Sequence, residues 1–130
     1  MSGSDVLLDT NIIIALFNSE TKIAEKLDKL NKVYVPCIVA GELYYGANAS
    51  KSKAKNISKI NLFLDNCSIL QIDNSTAHHY GEIKAILRKK GTPIPENDIW
   101  IAAISVQHNL TLITRDAHFK MVEIISIASW

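Results

Sequence analysis

The chain predicts an α/β fold, a parallel sheet covered on both faces by helices, and three observations carry that expectation. Short runs of branched aliphatics recur along the chain, and each reads as a strand buried on both faces. Longer segments with apolar residues at helical spacing alternate with these runs. At 130 residues and 48% hydrophobic, the chain has one domain's worth of length and enough apolar side chains for a substantial core.

In chain order, residues 5 to 9 form the first expected strand through Val6-Leu7-Leu8. Residues 11 to 17 form a short helix too apolar to lie on the surface. Glu20 to Asn31 follows as an amphipathic helix, with Ile23, Ala24, Leu27 and Leu30 on one face. Val33-Tyr34-Val35 is the second strand, stopped by Pro36. Residues 38 to 48 read as helical through Val39, Leu43 and Tyr44, and Lys51 to Asn66 as a helix with Ile57, Ile60 and Leu64 inward. Ile69-Leu70-Gln71-Ile72 is the third strand. Ala77 to Lys90 is an amphipathic helix closed by Gly91, with Lys89 and Lys90 complementing its dipole. After a loop held extended by Pro93 and Pro95, Asn97 is placed to cap a helix from Asp98 to His108 that is apolar all round, Trp100 included, and so belongs in the core. Thr111-Leu112-Ile113-Thr114 and a run near Val122 to Ile125 complete the strands, and the alternation implies parallel pairing.

Composition excludes several classes. No apolar stretch approaches the roughly 20 residues of a membrane span. Met1-Ser2-Gly3-Ser4 lacks the basic and apolar regions of a signal peptide and reads as a flexible N-terminus, so a cytoplasmic protein is expected. Cys37 and Cys67 show no metal-ligand or redox spacing and read as reduced core residues. Fourteen basic against thirteen acidic side chains leave a formal charge of +1, which advertises no nucleic-acid partner by itself.

The chemistry lies in four acids. Asp9 ends the first strand and Asp116 follows the fourth, at the sheet edge where open α/β folds bind ligands. Asp98 falls in the first turn of a buried helix, whose dipole is expected to lower its pKa. Glu42 stands among Ile38, Val39, Leu43 and Tyr44, an acid in apolar company. Helix capping accounts for any one of them, but burying several carboxylates costs several kcal/mol each unless they are paired or bind metal. Arg115 is the only basic residue nearby in sequence and cannot neutralise them all. A divalent cation can, and oxygen ligands select a hard ion, Mg²⁺ or Mn²⁺. Such a cation inverts the local charge so that an anionic phosphodiester can approach, with water as nucleophile.

The segments Leu8-Asp9-Thr10-Asn11, Gly41-Glu42-Leu43, Asn97-Asp98-Ile99-Trp100-Ile101-Ala102-Ala103 and Ile113-Thr114-Arg115-Asp116 together resemble the PIN domain, and more narrowly the VapC-type toxins of prokaryotic toxin-antitoxin systems. The resemblance runs from about Val6 to Ile125. It implies a three-layer α/β/α sandwich and a Mg²⁺- or Mn²⁺-dependent endoribonuclease, a hydrolase leaving a 5′-phosphate and a 3′-hydroxyl. It implies Asp9, Glu42, Asp98 and Asp116 as the catalytic cluster, with metal held by Asp9, Asp98 and Asp116 and Glu42 a further candidate ligand. Asn11 and Thr114 match supporting positions, and His118 stands near Asp116 in sequence. The implied partners are RNA and an antitoxin whose disordered segment lies across the groove near Glu42 and Tyr45. A homodimer or toxin-antitoxin hetero-oligomer is expected, with Phe17, Leu43 and Tyr45 as candidate interface residues.

Candidate RNA contacts are Lys51, Lys53 and Lys55, grouped with Lys59, then Arg88, grouped with Lys84, Lys89 and Lys90, and Arg115. Solvated helix faces account for such charge runs equally well. Tyr44 and Tyr45 are candidates for stacking on bases or for an interface. A haloacid-dehalogenase-type phosphatase needs an acid where Asn11 stands, and a receiver domain needs an acid pair and a late Lys that are missing. The remaining alternative is a non-catalytic PIN-like module that binds RNA or regulates.

Overall fold

The computed structural model describes residues 5–130, so the terminus Met1 to Ser4 lies outside the described residues. The elements run β1 (Val6–Leu8), α1 (Thr10–Phe17), α2 (Thr21–Asp28), β2 (Val33–Pro36), α3 (Cys37–Asn48), α4 (Lys53–Asp65), β3 (Ser68–Leu70), α5 (Asn74–Lys90), α6 (Glu96–His108), β4 (Thr111–Ile113), a 3-10 helix (Ala117–Met121) and β5 (Ile127–Ala128). The five strands form one sheet in the order β3-β2-β1-β4-β5, every pair parallel. The chain steps from β1 to β3 in one direction and then jumps back past β1 to β4. Right-handed crossovers therefore place α1 to α4 on one face and α5 and α6 on the other, the α/β/α arrangement expected. They also open a crevice where the strand order reverses, beyond the carboxyl ends of β1 and β4.

The core lies along that junction. Leu7 and Leu8 of β1, Leu112 of β4 and Ile101, Ala102, Ala103 and Ile104 of α6 are all fully buried. Within α6, Ser105 satisfies its buried hydroxyl by donating to Leu110 O at 2.7 Å. Trp100 departs from the expectation. It is half-buried and stacks on Tyr80 of α5, ring centroids 4.0 Å apart, so it ties two helices together at the surface. The cysteines are free, as expected, but half-buried rather than in the core. Cys67 donates to Phe63 O at 3.3 Å, and burial pushes its thiol up to about 11.

Helix ends follow local chemistry that periodicity does not carry. Helix α5 starts ahead of Ala77 because Asp73 caps it, accepting from Thr76 N at 3.0 Å while Thr76 Oγ1 accepts from Asp73 N at 3.1 Å. Gly91 ends it in the left-handed region at φ 71°, which a side chain would strain. Asn97 does not cap α6, whose N-cap position is Pro95. The expected strand near Val122 to Ile125 is absent. Phe119 and Val122 turn into the core, Ile124 is exposed, and the last strand forms at Ile127, opposite Leu112.

Candidate active site

Asp9 sits where β1 gives way to α1, its backbone N–H donating to Ile113 O of β4 at 3.0 Å. It is buried, with three donors on its carboxylate. Thr10 N–H reaches Oδ1 at 2.8 Å, and the Thr114 hydroxyl and Asn11 Nδ2 reach Oδ2 at 2.7 and 3.3 Å. Asn11 accepts in turn from Arg115 N at 3.1 Å, and Thr114 Oγ1 accepts from Asp116 N at 2.9 Å. Asn11 and Thr114 thus fasten the ends of β1 and β4 to each other. Burial raises the Asp9 pKa, the Thr114 and Thr10 hydrogen bonds oppose the rise, and the Asp116 charge adds to it.

Asp98 and Asp116 face each other across His118. His118 Nδ1 lies 3.1 Å from Asp116 Oδ1 and 3.7 Å from Asp98 Oδ2, and its backbone N–H donates to Asp116 Oδ1 at 2.9 Å. Asp98 reverses the expectation drawn from its helix position. Burial pushes its pKa up to about 6, the Asp116 and Asp9 charges add to the rise, His118 opposes it, and Glu42 contributes a smaller increase. The helix N-terminus is outweighed by desolvation and by three neighbouring acids.

Glu42 is more exposed than its apolar neighbours in sequence suggest. Its carboxyl nevertheless turns toward α1, where Oε1 accepts from the Thr10 hydroxyl at 2.9 Å. Burial of that end raises its pKa, the Thr10 hydrogen bond opposes this, and the Asp9 charge adds to it. Residue spacing assigns Thr10 no role. Its place directly after Asp9, with a side chain on the first turn of α1, is the signal that was available.

The basic candidates separate. Lys51, Lys53 and Lys55 are exposed around the α3–α4 turn, but the member of that group sharing a groove with Glu42 is Lys59, which also lies over the Phe17 ring at 5.5 Å. Arg88 lines a groove with Glu96 and Ile99 on the flank of α6. Arg115 is committed elsewhere: its guanidinium donates to both carboxylate oxygens of Glu20, at 2.8 and 3.1 Å, and its Nε to Trp130 O at 2.9 Å. It clamps the loop after β4 to the start of α2. Of the expected interface residues, Leu43 is buried and Phe17 half-buried against Phe63, while Tyr45 is exposed together with Ile14 and Leu62.

Asp98, Asp116 and His118 each offer a ligand atom, all within 4.8 Å of one another. Oxygens around Mg²⁺ at about 2.1 Å lie somewhat closer than that, so small side-chain adjustments suffice. Asp9 adds a carboxylate whose charge both Asp98 and Glu42 feel. Burial first, and neighbouring acids after it, raise the pKa values of Asp9, Glu42 and Asp98 at this sheet crevice, and the donor set fits a divalent cation.

Comparison with known proteins agrees with this fold. The PIN domain family model matches residues 6–125. Ribonuclease VapC2 of Rickettsia felis is 34% identical over 129 residues, covering 95% of this chain and 96% of that protein. The tRNA(fMet)-specific endonuclease VapC of Salmonella typhimurium is 30% identical over 127 residues, covering 95% and 96%. A chain in the crystal structure of VapBC2 from Rickettsia felis bound to a DNA fragment from their promoter matches with a TM-score of 0.91 at 31% identity, covering 97% of this chain and 98% of that one.

Proposed function

This chain belongs to the PIN domain family, and from that premise we propose that it is a ribonuclease toxin that hydrolyses RNA phosphodiester bonds with Mg²⁺ or Mn²⁺ and is neutralised by a cognate antitoxin protein. The observation that carries the reading is the convergence of Asp9, Glu42, Asp98 and Asp116 at the crevice beyond β1 and β4, each of the first three with a raised pKa. Relatives of VapC type along nearly the whole chain, and a VapBC complex among the solved structures, support the toxin and antitoxin parts.

Asp98, Asp116 and Asp9 would hold the cation. When bound it supplies positive charge that lets the anionic substrate approach and polarises a phosphoryl oxygen. Thr114 and Asn11 fix the Asp9 carboxylate so that it need not reorganise. His118 holds Asp116 in place. Glu42, steadied by Thr10 and sensing the Asp9 charge, is assigned to accept the proton of the attacking water. Lys59, the exposed Lys51, Lys53 and Lys55, and Arg88 are assigned to phosphate contacts, while the salt bridge to Glu20 assigns Arg115 to the loop instead.

No helix among the described residues is long and apolar enough to cross a membrane. Ile14 on α1 and Leu62 on α4 are exposed apolar side chains open to contact with a second copy or with the antitoxin. The purified protein is expected to cleave RNA to fragments with 5′-phosphates when Mg²⁺ or Mn²⁺ is present and to stop when EDTA is added. Cleavage at an undiminished rate in EDTA would overturn the metal-dependent reading.

A further inference from the structure

We propose that the groove next to the acidic cluster is a subsite for one nucleobase flanking the scissile phosphate, with Tyr45 as its stacking platform and Asn97 as the group that reads the base edge. The inference rests on the ribonuclease reading and adds to it a place where sequence is recognised.

The groove is an open depression of about 690 Å³, lined by Thr10 and Glu42 together with Cys37, Ile38, Gly41, Tyr45 and Asn97. It is continuous with the catalytic cluster, because Thr10 and Glu42 hydrogen-bond to each other at 2.9 Å and Asn97 directly precedes Asp98. RNA with a phosphate at the acids therefore has an adjoining base within reach of this groove. The lining holds a carboxylate and, among the described residues, no lysine or arginine. A phosphate is disfavoured there, whereas a neutral base is not.

Three of its residues lack an internal explanation. Tyr45 is 76% exposed. The adjacent Tyr44 is half-buried and donates its hydroxyl to Asn61 Oδ1 at 2.5 Å, so one tyrosine of the pair serves the fold and the other faces out. Gly41 lies inside α3, where glycine costs helix stability, yet a Cβ there would meet nothing within 4 Å. Packing does not demand the glycine, and what its missing side chain leaves is room in the groove wall. Asn97 is exposed on the first turn of α6 and makes no side-chain cap there. Its amide offers one donor face and one acceptor face, the combination that pairs with a base edge. Stacking on Tyr45 tolerates any base, and the Asn97 amide then discriminates among them.

The test compares wild type with Asn97→Ala, Tyr45→Ala, Tyr45→Phe and Gly41→Leu. Cleavage of a mixed-sequence single-stranded RNA pool is mapped in Mn²⁺, alongside urea midpoints and Mn²⁺ affinity. Asn97→Ala is expected to flatten base preference at one position beside the cut. Tyr45→Ala should raise KM about fivefold or more and Tyr45→Phe should not. Gly41→Leu should raise KM at unchanged Mn²⁺ affinity and an equal or higher urea midpoint. On a substrate carrying an abasic nucleotide at that position, wild type and Tyr45→Ala should cut equally well. Folded variants whose cleavage maps and KM match wild type overturn the subsite alone. A wild-type protein that cuts no RNA overturns the ribonuclease reading and the subsite with it.

Discussion

Asp98→Asn is expected to lower RNA cleavage about a hundredfold or more while making the metal-free protein more stable. The two effects share one cause. Asp98 is a carboxylate whose side chain is 14% exposed and whose pKa is pushed up to about 6 by burial and by Asp116 and Asp9. A folded-state pKa above the unfolded value means that the native chain binds the proton more tightly than the unfolded chain does. The penalty for holding the charged form is therefore complete above about pH 6 and vanishes as the pH falls toward 4. Asparagine keeps the shape and removes the charge. In EDTA, its gain over wild type should be on the order of 2 kcal/mol at pH 7.5 and shrink steadily as the pH drops to 4. Urea unfolding of both proteins across that range is the measurement. A variant less stable than wild type at neutral pH contradicts the electrostatic account of the cluster.

Asp9 does not serve the same purpose. Removing a charge there relieves repulsion, but the Asp9 carboxylate also accepts from Thr10 N, the Thr114 hydroxyl and Asn11 Nδ2. An amide nitrogen in place of Oδ2 would face two of those donors, and a buried donor left unpaired costs about 1–3 kcal/mol. The stabilisation expected from charge relief alone is offset at Asp9 and survives at Asp98.

Phe119→Ala is expected to cost about 3–5 kcal/mol, a large share of the stability of a domain this size. Phe119 is fully buried, the central anchor of the 3-10 helix that follows Asp116. Asp116 caps that helix through His118 N–H, so the side chain that fills the core also sets where two candidate metal-binding groups stand. Mn²⁺ affinity should fall along with the urea midpoint, and Phe119→Leu should retain most of both. A loss below about 1 kcal/mol would show that the segment is not anchored as described.

The same segment marks the limit of what the sequence discloses. Val122 to Ile125 is a short apolar run, and periodicity cannot tell a strand from a turn that feeds one side chain to the core. The buried strands β1 and β4 and the apolar helix α6 were legible because their burial is continuous and local in sequence. Asp9 and Asp116 were legible because strand ends announce the crevice. Other features depend on residues far apart in the chain. Arg115 pairs with Glu20 across 95 positions, Thr10 with Glu42 across 32, and neither partner is marked by spacing. The Asp98 pKa shows the difference most sharply. Its helix position argues for a lowered value, but burial among acids from three other segments raises it, and only the folded chain brings those acids together.

The central claim is that these acids form one divalent-metal centre, and calorimetric titration of Mn²⁺ into the purified protein at pH 6 tests it most directly. With Asp98 near half-protonation at that pH, binding should be saturable and should release protons, visible as a heat that changes with the ionisation enthalpy of the buffer. Asp98→Asn should weaken the affinity about tenfold or more and lose most of the proton release. Absence of saturable binding, or equal affinity and equal proton release in the two proteins, would contradict the account.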